Sequence, residues 1–205
     1  MESFLNLSSE KQTVIIDAAM KAFGATGYKK TSVSDIATAA GISKAMVFHY
    51  FGTKKELYFY LFEYGAELII NEINEKFDRT ITDFFDRIIQ ASEIKIAILQ
   101  KHPSALNFMA SVFYETNEEV ADDIQETLKK GDDFRAHLAL DGMDTYKFKE
   151  GVDAKLIMKM LYWMAAGYMD TVKGQQGYDF NTFFMEFKDS LYMMRANFYK
   201  EEYLQ

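Results

Sequence analysis

Between Ser43 and Phe51, five side chains, Lys44, Ala45, Met46, Phe48 and His49, fall on the outer surface of a short helical pattern whose inner positions are Val47, Tyr50 and Phe51. Lys44 can donate to guanine O6 and N7, while Ala45, Met46 and Phe48 offer the apolar contact that suits a thymine methyl. Ser34 and His49 can add contacts to base edges. Around them Thr31, Ser32, Tyr50 and Lys54 carry the hydroxyls and ammonium that position a protein on phosphate oxygens, helped by backbone amides at helix N-termini. This is the chemistry of reading a DNA groove. Tyr50 also fits a core position. No catalytic constellation competes with it: the chain has no G-x-S-x-G, HExxH, P-loop or Gly-rich dinucleotide turn, no cysteine, and histidines only at 49, 102 and 137, on separate elements. No enzyme activity, cofactor or metal site is expected.

Such a surface needs two short helices to hold it. Val33, Ile36, Ala37 and Ala40 recur at the spacing of one buried face behind the N-cap Ser32. Gly41 can end that helix in the left-handed conformation, and Ser43 caps the next. Upstream, Ser9-Glu10-Lys11-Gln12 reads as a capping box opening a helix that ends near Gly24 to Gly27. Downstream, Thr53-Lys54-Lys55-Glu56 opens a long helix towards Phe77, with Gly65 as a place to bend. Further helices follow over 81–100, from Pro103 to about Thr116, from Asn117 to about Leu140, from Asp153 to Val172, and from a cap at Asp179 through Phe198, with Gly174 and Gly177 as breaks. The segment Met143 to Gly151 lacks a period and reads as a loop.

With 49% hydrophobic residues, one proline and 205 residues in all, the chain can bury a sizeable core and favours an all-α fold. The net charge of −8 is unevenly spread: residues 1–56 carry +2, leaving −10 for the rest. A mildly basic head on an acidic body is compatible with DNA, because only the docked face meets phosphates. The division expected is a three-helix head, 1–52, joined by the long helix to a helical body, 53–205. The start of the chain lacks a signal-peptide pattern and no apolar run reaches membrane-spanning length, so a cytoplasmic protein with no membrane partner is expected. In the body, Phe108, Met109, Phe113, Met160, Trp163 and Met164 can line an adaptable apolar pocket, or simply fill a core. The last two helices are apolar over more than one face, which points to a second packing partner. Ala166, Tyr168, Phe184, Phe187 and Leu191 are the candidates for a self-complementary dimer contact, a monomer core being the competing explanation.

The stretch Phe23, Gly27-Tyr28, Thr31-Ser32-Val33, Asp35-Ile36-Ala37, Ala40-Gly41-Ile42-Ser43, Phe48-His49-Tyr50-Phe51, Lys54 and Glu56-Leu57 resembles the N-terminal domain of TetR-type transcriptional regulators. About 45 residues carry the resemblance, and the body adds no motif to it. It implies a homodimer of about nine helices per chain, two heads on successive major grooves of a palindromic operator, and a small-molecule effector in the body that moves the linking helix and releases DNA, as in a repressor. The chain departs from the family pattern at Ala45, where glycine is usual, and at Phe48, where tyrosine would supply a phosphate hydrogen bond. A helical interaction protein whose helix-turn-helix is only structural is the alternative.

Overall fold

The computed structural model describes residues 1–171 and 180–204 and is all-α there, apart from an isolated bridge between Phe148 and Tyr199. The expected breaks at Gly174 and Gly177 and the cap at Asp179 lie outside the described residues. The helices are α1 (Glu2–Leu5), α2 (Ser9–Lys30), α3 (Val33–Ala39), α4 (Lys44–Phe51), α5 (Lys54–Lys76), α6 (Phe84–Lys101), α7 (Pro103–Val112), α8 (Ala121–Leu140), α9 (Ala154–Thr171) and α10 (Phe180–Phe198). None among the described residues is long and apolar enough to cross a membrane. Two compact units emerge, Met1–Asn71 with Ala97–Gln125, and Glu72–Ile96 with Glu126–Gln205. They do not follow the 1–52 and 53–205 division, because α7 packs along α2 and so sits with the N-terminal helices.

In the first unit, α2 is capped by Ser8, one residue earlier than expected: its hydroxyl accepts the Lys11 N–H, and the Gln12 side chain reaches back to the carbonyls of Leu5 and Leu7. The buried face of α2, through Ile15, Ala19, Met20 and Phe23, meets α7, where Pro103 occupies the first turn. Gly24 makes that approach possible, since a Cβ there would stand 3.0 Å from the Phe108 nitrogen and 3.1 Å from the Asn107 carbonyl carbon. Gly65 does a similar job inside an uninterrupted α5, with the Met109 thioether lying against its bare face. The core is strongly aromatic, Tyr58 standing edge-on to Phe23, Tyr28 and Phe108.

The second unit is built around Phe84, Phe85, Phe148, Leu191 and Tyr199, with the Phe148 and Tyr199 rings edge to face at 4.9 Å. The segment expected to be a loop holds a 3₁₀ turn, Thr145–Lys147, and is tied to the end of α10 by Lys149 N–H to Phe198 O and Lys200 N–H to Lys147 O. These are pairings distant in sequence, which no local period announces. An ion cluster covers this junction: Lys147 pairs with Asp83 and Asp144, and Arg195 with Asp83 and Asp86. Burial opposes ionisation of Asp83, but Lys147, the Asp86 amide and Arg195 outweigh it and hold the carboxyl below its usual range.

Replacing Gly24 with alanine should force the α7 backbone away from α2. A loss of about 1–3 kcal/mol is expected from such overpacking, read as a lower urea midpoint, while a stability equal to wild type would show that the approach tolerates a methyl.

Candidate nucleic-acid interface

Each turn of the helix-turn-helix is closed by the residue type its backbone requires. The Ser32 hydroxyl accepts the Ser34 N–H at 3.2 Å, Gly41 takes φ +67° after α3, and the Ser43 hydroxyl accepts the Met46 N–H at 3.2 Å. Val33, Ile36 and Ala37 of α3 and Val47, Tyr50 and Phe51 of α4 are buried. The N-terminal turn α1, absent from the sequence-based expectations because it is one turn long, inserts Phe4 against Phe51, Tyr50 and Tyr60. This leaves Lys44, Ala45, Phe48 and His49 exposed on one side of α4, with Met46 half-buried and Ser34 exposed on α3. Lys44 Nζ lies 5.9 Å from the Phe48 ring centre, one turn on, so the ring steers the strongest donor of the surface.

Three phosphate candidates lie buried or half-buried. Thr31 is 5% exposed, and its hydroxyl sits 2.7 Å from Gly27 O, 2.8 Å from Thr26 Oγ1 and 3.2 Å from Ala22 O. It closes the end of α2 and has nothing left for DNA. Tyr50, 7% exposed, packs with Phe4 in the head's core. Lys54 is half-buried, its ammonium 4.7 Å from the Tyr28 ring centre and 3.4 Å from Lys29 O. Burial holds that amine below the usual lysine range against the raising influence of Glu119 and Glu115. Ser32 is partly exposed, but its hydroxyl is engaged as a cap.

The body candidates do not converge. Phe108 is fully buried in the first unit, packed edge-on to Tyr58 in its core, so it is not free to line a pocket. Met109 covers Gly65, and Phe113 is exposed. In the second unit Met160 and Met164 pack on the core, whereas Trp163 is 61% exposed and points outward. Among the interface candidates, Leu191 has no exposed surface and is core, and Phe187 packs against that core. Ala166 and Phe184 are partly exposed, and the Tyr168 ring lies 4.4 Å from that of Phe183. The apolar groups that α9 and α10 leave outside are instead Leu156, Tyr162, Trp163, Met185, Tyr192 and Met193. Leu156 and Trp163, like Met185 and Tyr192, are seven residues apart and so share a helix face, a spacing present in the sequence but masked by the apolar residues around it.

Fold and surface together define a helix-turn-helix DNA reader carried on a helical body. Residues 15–61 match the family of bacterial regulatory proteins of tetR type. Over 177 residues, 82% of this chain and 87% of the other, the sequence is 27% identical to the fatty acid metabolism regulator protein of Bacillus subtilis. The fold is shared with a TetR family regulator from Chloroflexus aurantiacus (TM-score 0.73, 18% identity, 98% of this chain and 99% of that one) and with FadR from Bacillus subtilis in complex with stearoyl-CoA (TM-score 0.68, 22% identity, 89% and 96%). The matched segment, the relative and the shared fold all support a TetR-type transcriptional regulator.

Two substitutions separate the roles assigned here. Lys44→Ala should weaken binding to the preferred duplex and relax selectivity at one base position by about 1–3 kcal/mol, whereas equal loss on all sequences would make Lys44 a phosphate contact. Thr31→Val should lower stability by about 1–3 kcal/mol in a urea titration while leaving the salt slope of DNA binding unchanged; a slope reduced by about one would restore Thr31 to the phosphate contacts.

Proposed function

We propose that the protein is a homodimeric repressor that holds a palindromic operator through the outer face of α4 and leaves it when an acyl-type effector binds the body. The observation that carries this reading is the exposure of Lys44, Ala45, Phe48 and His49 on a helix whose opposite side is locked into the head's core. With few polar groups on that face, selectivity comes from Lys44, methyl contacts and the half-site spacing of about 34–36 Å that a dimer imposes. The dimer contact is the outward side of α9 and α10, where Leu156, Tyr162, Trp163, Met185, Tyr192 and Met193 are exposed. A DNA-binding role supports a cytoplasmic location.

The effector class is supported by the relative named as a regulator of fatty acid metabolism and by the stearoyl-CoA held in a structure of similar fold. The second unit also offers a cationic spot for an anionic head group. Lys95 on α6 is exposed to solvent, with the Arg135 guanidinium close enough to act on it electrostatically. Effector binding shifts DNA occupancy only by its differential affinity for the bound and released conformations.

The test is selection of duplexes from genomic DNA by the full-length protein, followed by titration of the recovered duplex complex with stearoyl-CoA. Retention of a palindromic duplex and its release by acyl-CoA are expected, with release needing higher acyl-CoA concentrations in Lys95→Ala. Failure to retain any duplex at low salt would leave the helix-turn-helix a structural element, and retention indifferent to acyl-CoA would exclude that effector class. Trp163→Glu should convert the dimer to monomer in sedimentation, and an unchanged dimer would remove α9 from the contact.

A further inference from the structure

The α2 helix is interrupted at Gly27, whose φ of 72° and ψ of 175° leave the helical region. The break takes the Tyr28 N–H out of the α2 ladder just before the turn that leads into α3. A buried backbone donor in this position needs a partner, and it finds one 87 residues away: Glu115, at the end of α7, accepts the Tyr28 N–H at 2.6 Å. The phenol at the other end of the same residue donates to Glu119 at 2.6 Å. Tyr28 is buried, and its hydroxyl is pushed up from the usual range by burial first and by Glu119 second, so the proton stays on the phenol and the bond runs from tyrosine to carboxylate. The backbone amide and the side-chain hydroxyl of one residue at the entrance to the helix-turn-helix are therefore both held by the connection between α7 and α8.

That connection is itself built to hold its carboxylates still. The second oxygen of Glu115 accepts the Thr116 and Asn117 N–H groups at 3.0 and 2.9 Å, and Asn117 Oδ1 accepts the Glu119 N–H at 3.0 Å. On the head side, the Tyr28 ring is the platform for Lys54, and Thr31 closes the break from below through its N–H and hydroxyl to Gly27 O. Gly27 is needed twice, for its positive φ and because a Cβ would stand 3.2 Å from a Glu115 oxygen. The Tyr58 hydroxyl is buried without a hydrogen-bond partner among the described residues, and after burial Glu115 is the largest influence raising its pKa.

We infer that Glu115 and Glu119 are positioning residues for DNA binding: through Tyr28 they set the turn that enters α3 and the seat of Lys54, and they transmit displacement of the α7–α8 connection to the reading head. The inference rests on the DNA-regulator reading and adds to it the contact by which the head is held or released.

The test uses full-length wild type, Tyr28→Phe, Glu115→Ala and Glu115→Gln with a duplex recovered from the genomic selection. Hydrogen exchange over residues 113–125 is followed with and without duplex, beside affinity and thermal unfolding. In wild type, duplex should slow exchange over 113–125. Tyr28→Phe, which keeps the ring beneath Lys54, should lose most of that response while remaining folded. Glu115→Ala should bind duplex about tenfold more weakly, and Glu115→Gln, which keeps an acceptor for the Tyr28 N–H, should recover most of the affinity. A wild-type response in Tyr28→Phe, or wild-type affinity in folded Glu115→Ala, overturns the inference. If Glu115→Ala does not fold, Tyr28→Phe decides alone. If wild type binds no duplex, the regulator reading itself fails; if it binds and only the variants behave as wild type, the clasp alone fails.

Discussion

The closure of the chain around Gly27 is the constraint on which the reading head depends. One glycine at positive φ turns the backbone out of α2, and Thr31 seals the turn by giving both its amide and its hydroxyl to the Gly27 carbonyl. Everything that follows is set from there: the cap at Ser32, the buried side of α3, the tight turn at Gly41 and the angle at which α4 shows its outer face. A hydroxyl spent in this way cannot also bind phosphate. The backbone geometry of the head thus decides which polar residues are left for DNA.

The head was largely legible in the sequence because its signals are local. Ser32, Gly41, Ser43 and Thr53 act within three or four residues of their own positions, and the structure uses each as a cap or turn. Apolar spacing likewise separated the inner Val47 and Phe51 from the outer Lys44 and Phe48. Thr31 was misjudged because residue type alone shows that a hydroxyl is available, and only the fold shows whether it is already used; Tyr50 takes the core position that its spacing also allowed. Phe4 was invisible because a single turn carries no period.

The body was legible only as helices. Whether an apolar residue such as Leu191 or Trp163 faces the core or the outside depends on which neighbours pack against α9 and α10, and both helices are apolar enough that periodicity does not choose. The placement of α7 beside α2, the pairing of residues 147–149 with the end of α10, and the Glu115–Tyr28 bond join segments between about 50 and 90 residues apart, beyond any pattern readable in a short window. The acidic residues have a positional logic as well, since the carboxylates at 115, 119 and 123 meet Tyr28 and Lys55 within the first unit.

The claim at the centre of this account is that the exposed face of α4 and the helix ends beside it dock on duplex phosphates and bases. The salt dependence of affinity for a recovered duplex tests it most directly. A dimer that neutralises about 6–10 phosphates should lose about 10³–10⁵ in affinity between 50 and 200 mM salt. Affinity unchanged across that range, or no binding at its lower end, would contradict it.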